Sequence, residues 1–438
     1  MDLKKIVKSI VSENKDINIT DEFQNAFNLI ENTSENVFIT GKAGSGKSTF
    51  INIIRKNSNK KIAVLSPTGL SAINVKGQTI HSFFHFPPRL LTEEVIHNFK
   101  GNTRVFKAVD MIIIDEVSMV RADMLDTIDQ FLRKYGRDEF LPFGGTQMVL
   151  VGDLYQLPPV VTNSEKQIIY ERYSTPYFFS SSVFKLNNFK IIEFSQIFRQ
   201  SDEQFINFLN LVRTGEVTSE DMRKLNKNVT EKLNDNYITL TTTNSIANAI
   251  NEARLNEMDS KLFLFPAKIE GNFPTEGKSL PIDLELKLKK GARVMFVRND
   301  KGKRWLNGTL GTVKDLEEGI IKIKIDKSDG GKVVEVVKEE WENIRYTYDP
   351  VTHQVEEKVL GKLIQYPLRL AWAVTIHKSQ GMTFDHINLD FSRSPFAHGQ
   401  TYVALSRSRS MNGISLTHEI WPNDVIVDEE IFNFLKKE

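Results

Sequence analysis

Residues 41–48 read Gly-Lys-Ala-Gly-Ser-Gly-Lys-Ser, and residues 111–116 read Met-Ile-Ile-Ile-Asp-Glu. The first is a glycine-rich loop with one lysine and one hydroxyl at its end; the second is an apolar run closing on two carboxylates. The loop fits G-x-x-x-x-G-K-[ST], in which glycines let backbone N–H groups close around phosphate oxygens. Lys47 would reach the β- and γ-phosphates and Ser48 would ligate Mg²⁺, with Gly41, Lys42, Ala43, Gly44, Ser45, Gly46 and Thr49 completing a cradle for ATP. Asp115 would hold the same Mg²⁺, and Glu116 would orient and deprotonate an attacking water. Alone, an acidic pair after a strand is also what a helix cap looks like; beside Lys47 it reads as the other half of an ATP site. Gly152-Asp-Leu-Tyr-Gln-Leu-Pro-Pro159 follows another apolar run. Gln156 there is placed to touch the γ-phosphate, the plainer reading being a Pro-stiffened turn.

Such groups need a sheet to hold them. Asn36–Thr40 predicts a strand entering the loop and Ser48–Arg55 a helix whose N-terminus adds its dipole to the anion site. Short apolar runs recur at Ala63–Ser66, Met111–Ile114, Met148–Val151 and Ile191–Phe194, the rhythm of a parallel sheet with crossover helices in an α/β fold. The stretch His85–Asp110 breaks that rhythm. A second α/β pattern starts at 191, with a helix at Glu203–Arg213, a strand at Tyr237–Thr241 and a helix from Ser245 to Met258. Between 292 and 365 the pattern becomes short alternating strands at Ala292–Val297, Leu310–Val313, Ile320–Ile325 and Lys332–Val337. Asn307-Gly308 and Asp329-Gly330-Gly331 punctuate them, which predicts an inserted antiparallel barrel. The α/β pattern resumes at Leu368–Val374 and His386–Asp390. The expected division is 1–84 with 111–190, an excursion at 85–110, 191–291 with 366–438, and the insertion at 292–365.

With 438 residues and 40% hydrophobic content the chain can bury more than one core. Its net charge of +1 supplies no global field, so any nucleic-acid site must be a local groove. There is no cysteine, so disulfide, thiolate and cysteine–zinc chemistry are excluded. Met1–Lys15 reads as a short amphipathic helix rather than a secretory signal, and no apolar run approaches the roughly 18 residues that span a bilayer. A cytoplasmic enzyme with no membrane partner is the expectation, of bacterial or phage type and nucleoid-associated.

Hydrolysis that drives motion usually brings an arginine to the γ-phosphate from another domain. Arg199, in Gln196-Ile-Phe-Arg-Gln200, and Arg407, in Tyr402-Val-Ala-Leu-Ser-Arg407, are the two candidates; an ordinary salt bridge is the alternative for each.

The set Gln24, Gly41–Ser48, Ser66-Pro-Thr-Gly-Leu-Ser-Ala-Ile-Asn74, Gln78-Thr-Ile-His-Ser-Phe83, Asp115-Glu-Val-Ser-Met119, Gly152–Pro159, Phe198-Arg-Gln200, Thr375-Ile-His-Lys-Ser-Gln-Gly381 and Tyr402–Arg407 resembles superfamily-one helicases in order and spacing. Gly69–Val75, Thr79–Phe83 and Ser118–Asp126 carry a closer resemblance to the petite-integration-frequency (PIF) helicases, related to the RecD-like branch. The resemblance implies two RecA-like P-loop domains, the 85–110 excursion as a duplex-splitting wedge, and an SH3-like insertion over the strand. It implies an ATP- and Mg²⁺-dependent 5′-to-3′ helicase acting on single-stranded DNA and single-strand/duplex junctions such as forks, R-loops or G-quadruplexes. The working state would be a monomer, with dimerisation on DNA open. Gln24 would bond adenine, while Gln380, Gly381, Arg199 and Arg407 would line the nucleotide cleft. DNA would be met by Pro67, Thr68, Thr79, His81 and Phe83 of the first domain and by Asn244, Thr375, His377 and Lys378 of the second. Phe83 would stack on a base, although Phe83 or Phe84 could instead be core. An RNA-directed helicase, and a nucleotide-switched DNA-binding module without translocation, are the alternatives.

Overall fold

The structure is a computed structural model. It describes residues 20–437 except 88–90, 92–95, 98, 199–201, 276–279, 281, 301, 303, 318, 327–330 and 350–353. Arg199 and the Met1–Lys15 segment lie outside the described residues.

Six parallel strands form the first sheet: β1 (Val37–Gly41), β2 (Ile62–Ser66), β3 (Gln78–Thr79), β4 (Met111–Ile114), β5 (Gln147–Val151) and β6 (Lys190–Phe194). Their order is β3-β2-β4-β5-β1-β6. Strands β1, β4 and β5 are buried along their whole length, as expected where helices cover both faces. Alternation along β1 sorts the two cores. Val37 and Ile39 face Phe23, Phe27, Phe50 and Ile54 of the helices Asp21–Asn32 and Lys47–Asn57, while Phe38 belongs to the cluster holding Leu125, Ile128 and Leu132 of the helix Ala122–Tyr135.

The expected boundary at 191 is corrected: β6 is an edge strand of this first sheet, paired with β1 in the register Phe38↔Ile191 and Thr40↔Glu193. The second domain therefore starts after Phe194, with helices Glu203–Thr214 and Ser219–Asn226, strand β7 (Ile238–Thr241) and helix Asn244–Asn256.

The insertion brings β8 (Leu262–Pro266), β9 (Lys268–Gly271), β10 (Glu285–Lys289), β11 (Arg293–Phe296), β12 (Leu310–Glu317), β13 (Ile320–Ile325), β14 (Val333–Val336), β15 (Glu339–Asp349), β16 (Gln354–Gln365) and β17 (Leu368–Leu370). Antiparallel strands in the order β14-β13-β12-β11-β17 make its main sheet, with β10-β8 paired beside it. Leu286 and Leu288 of β10 share a core with Val294, Phe296, Trp305, Ile323 and Val336. The expected limits of 292–365 are therefore too late at the front. At the back the main sheet runs past 365 to β17, while β15 and β16 leave it to pair with β9 in a separate sheet.

Leu368–Val374 was expected as one strand and is two. The chain closes β17 onto β11 and then, past Ala371-Trp372, enters β18 (Ala373–Thr375) beside β7. With β19 (Ile387–Asp390) and β20 (Ile414–Leu416) this gives a parallel sheet ordered β18-β7-β19-β20. The hairpin β15–β16 reaches the first domain, where the Tyr346 hydroxyl accepts from the Val64 amide at 3.3 Å and Arg55 pairs with Glu357. Helix Glu429–Lys437 also returns there and stacks Phe434 on Phe179 at 4.4 Å. No helix among the described residues is long and apolar enough to cross a membrane.

Candidate active site

The glycine-rich loop leaves β1 and enters the helix Lys47–Asn57 through Gly46, whose φ is +85° and which makes no side-chain cap bond. Gly44 also has a left-handed φ, +84°. A Cβ on Gly46 would lie 2.9 Å from the Phe23 ring, so the loop's shape depends on a missing side chain. Lys47 curls back over the cradle, its Nζ donating to the carbonyl oxygens of Gly41 at 2.6 Å and Lys42 at 3.0 Å. These are the groups an ammonium leaves when a phosphate arrives. A left-handed loop with free first-turn amides and a lysine folded inside it fits a bound triphosphate, with Ser48 and Asp115 as protein ligands for a Mg²⁺.

Asp115 and Glu116 follow β4. Glu116 has φ +53°, a left-handed conformation that a glutamate rarely adopts. Burial pushes the Asp115 carboxyl up to about 6, offset in part by the Glu116 amide and Lys47. Burial and then the neighbouring Asp115 push Glu116 up to about 7, against the pull of Lys47 and Arg407. Two carboxyls this close resist joint ionisation, the electrostatic demand that a divalent cation meets.

The second domain closes the other side. Gln380 Nε2 donates to Glu116 Oε2 at 3.1 Å and to Gln156 Oε1 at 2.9 Å, joining both domains at the Glu116 carboxylate. The Tyr402 hydroxyl accepts from the Ala43 amide of the loop at 3.0 Å and lies 3.4 Å from Asp153 Oδ2. Gly399, with φ +70°, abuts the Tyr155 and Gln156 carbonyls so closely that a Cβ would sit 2.3 and 2.6 Å from their oxygens. Gly381, beside Gln380, has φ +79°, and a Cβ added there would meet no heavy atom within 4 Å.

Arg407 is 1% exposed. Its guanidinium donates to the carbonyls of Val403 (2.8 Å), Ser379 (3.3 Å) and Met382 (3.1 Å) and to the Ser406 hydroxyl (2.7 Å) of its own domain, and its charge is felt at Glu116. Gln24 lies half-buried on the helix Asp21–Asn32 next to the loop and donates to Asn28 Oδ1 at 3.1 Å. Sequence reasoning missed Arg213, which lies in a helix of ordinary composition. Asp153 and Tyr402 were present only as motif letters.

On the expected DNA side one assignment is corrected. Phe83 is 3% exposed and packs edge-on against Phe84 (4.9 Å), Phe106 (5.4 Å) and Tyr346 (5.8 Å). It is core, because the excursion's aromatic residues and the β15–β16 hairpin cover it. Thr68 and Thr79 cap the helices Gly69–Asn74 and Ile80–Phe84, accepting from the Ser71 and Ser82 amides at 3.2 Å each. Thr375 is buried with its hydroxyl accepting from the Lys378 amide at 3.3 Å. Pro67, His81 and Lys378 are half-buried, while Asn244 and His377 are exposed.

A family model described as PIF1-like helicase matches residues 18–223. The ATP-dependent DNA helicase Pif1 of Bdellovibrio bacteriovorus is 34% identical over 432 residues, covering 96% of this chain and 92% of that one. PIF1 of Homo sapiens is 32% identical, covering 91% of this chain and 61% of its own length. A crystal structure of Bacteroides sp Pif1 in complex with ADP-AlF4 aligns with a TM-score of 0.88 at 38% identity, covering 96% and 97% of the two chains. Bacteroides Pif1 bound to ssDNA gives 0.69 at 39% identity over the same shares. With a relative 34% identical over 96% of this chain and 92% of its own, and a solved structure at a TM-score of 0.88, the chain belongs to the PIF1-like helicase family.

Proposed function

We propose that the chain is an ATP hydrolase that drives 5′-to-3′ movement along single-stranded DNA and opens duplex ahead of it, with Mg²⁺ as the metal. The observation that carries this is Gln380: one second-domain amide touches both the catalytic carboxylate and Gln156 of the first domain. Loss of the γ-phosphate is then felt where the domains meet, and a contact that differs between nucleotide states moves an equilibrium between closed and open clefts. Lys47 anchors phosphate, Glu116 activates water, Ser48 and Asp115 hold the metal, and the charges of Arg199 and Arg407 stabilise the transferring phosphoryl group. Residues 85–110 serve as the wedge and the antiparallel insertion as an SH3-like cover for the strand. Asn244, His377 and Lys378 offer exposed or half-exposed polar groups to phosphates.

Support comes from solved relatives: Bacteroides Pif1 bound to ssDNA, and DNA unwinding at forked dsDNA by two coordinating Pif1 helicases. The test is strand displacement with ATP on duplexes carrying a 5′ or a 3′ single-stranded tail, with a single-stranded RNA arm in the ATPase assay. Opening of 5′-tailed substrates alone is expected, with ATP turnover raised by DNA. Opening of 3′-tailed substrates alone removes the polarity, and DNA-independent turnover without displacement removes the motor.

A further inference from the structure

Asp153, fully buried behind β5, is paired with Arg213 and lies within the field of Lys47. Arg213, from the second-domain helix Glu203–Thr214, reaches it with Nη2 at 3.3 Å from Oδ1 and lays its guanidinium over the Tyr155 ring at 4.3 Å. The same carboxylate accepts from the Tyr155 amide at 3.2 Å and from Gln156 Nε2 at 3.4 Å, with the Tyr402 hydroxyl also at 3.4 Å. Every one of these contacts is long for a charged acceptor. Arg213 is 8% exposed, and its Nε has no hydrogen-bond partner among the described residues.

Lys47 feels this cluster. Burial holds its ammonium below the usual range, Asp153 is the strongest of the carboxylates opposing that, and Arg213 adds to the lowering. A buried carboxylate must be paired. Lys47 is the second cation whose field reaches Asp153, and among the described residues its bonds are to the Gly41 and Lys42 carbonyls and the Ser45 hydroxyl.

We infer that Arg213 is a positioning residue of the nucleotide site: by holding Asp153, it keeps that carboxylate from capturing Lys47 and leaves the Lys47 ammonium for the nucleotide's phosphates. This rests on the ATP reading above and adds a second-domain control of phosphate affinity. Because Arg213 crosses the domain boundary, the grip of the first domain on ATP depends on the second domain being in place.

The test measures ATP turnover against ATP concentration, at saturating single-stranded DNA, for the full chain and three variants: Arg213→Gln, Arg213→Lys and the double variant Arg213→Gln/Asp153→Asn. Arg213→Gln should raise KM for ATP about tenfold while kcat falls less than about threefold, because ground-state phosphate binding is what is lost. The double variant, with no carboxylate left to capture Lys47, should return KM to within about threefold of the parent, as should Arg213→Lys, which keeps the charge. A structural role would lower the melting temperature without moving KM and without rescue by Asp153→Asn. An unchanged KM in Arg213→Gln, or a double variant no better than the single, overturns the inference. If Arg213→Gln shows no cooperative melt, Arg213→Lys decides, and a tenfold KM rise there overturns the inference. Absence of ATP turnover in the parent chain would overturn the ATP reading itself, which separates the two failures.

Discussion

Replacing Gly399 by alanine tests whether hydrolysis depends on how closely the second domain approaches the loop after β5. Its φ of +70° puts an alanine in the left-handed region, at about 1–2 kcal/mol. The added Cβ would start 2.3 Å from the Tyr155 oxygen, where real contacts do not fall below 3.0 Å, so one side must retreat by at least ~0.7 Å. The obstructing atoms are first-domain backbone next to Gln156, which cannot swing aside as a flexible side chain would. The retreat therefore falls on the domain boundary that Gln380 spans, and misplacement on this scale can cost on the order of 100-fold in rate. Gly319→Ala is the matched control: φ is +88°, no heavy atom lies within 4 Å of the new methyl, and the site is on the turn between β12 and β13. DNA-stimulated ATP turnover and thermal melting of both variants separate strain from clash. Gly399→Ala should lose about 10- to 100-fold in kcat, and Gly319→Ala should lose stability alone. Turnover by Gly399→Ala within about twofold of the control, at equal melting temperature, would refute the geometric coupling.

Glu116→Gln should retain ATP affinity and nearly abolish turnover, whereas Lys47→Ala should damage both; substantial DNA-stimulated hydrolysis in Glu116→Gln, read by phosphate release, removes it as the base. Phe83→Ala should destabilise the fold by about 3–5 kcal/mol, as aromatic deletions in cores do, with single-strand affinity of the folded fraction unchanged; a loss of affinity at unchanged melting would restore the stacking role. His398 is held neutral, its Nδ1 accepting from the Asp428 amide at 2.9 Å and its Nε2 facing the Leu154 carbonyl at 3.0 Å, and burial lowers its pKa. The unfolded state then takes up the proton first, so His398's contribution is fully present above about pH 6.5 and is lost as pH falls toward the folded value, by up to about 1.4 kcal/mol per pH unit. Melting curves at about pH 8 and about pH 5.5 should show a smaller acid loss in His398→Gln than in the parent, and equal losses would exclude it.

The phosphate loop, the acidic pair and the parallel first sheet were legible because each rests on local chemistry: positive φ at glycine, continuous apolar strands, a cap or cradle at a helix start. What escaped the sequence was decided by pairing at a distance. Lys190–Phe194 has the same apolar look whether it opens a new sheet or edges an old one, and only its register with β1 settles that. Leu368–Val374 reads as one strand because hydropathy does not record that Leu370 pairs with Val294 while Ala373 pairs with Thr239. Phe83 looked like a stacking platform in a segment rich in small polar groups. The residues that bury it, Phe106 and Tyr346, come from elements whose packing on the first domain no local pattern announces. Arg213 is the sharpest case, a single charge on an amphipathic helix that becomes a site residue only through Asp153, sixty positions earlier.

Of the two arginines that sequence motifs single out, Arg199 lies outside the described residues and Arg407 is bonded within the second domain. Arg407 has its N–H groups on carbonyls of its own domain, and facing a phosphate directly would require giving up some of those bonds in a site where an unmade buried bond costs about 1–3 kcal/mol. Gln380, Tyr402, Arg213, Gly399 and His398 need no such exchange, since all five already touch the first domain at residues 43, 116 or 153–156. All five meet the single span that follows β5, which also carries Gln156. Any change in charge beside Gln156 is therefore delivered to several second-domain elements at once, and rigid packing makes them respond together rather than one by one. In this arrangement the charge of Arg407 is felt at Glu116, and the contacts between the domains gather on the loop after β5.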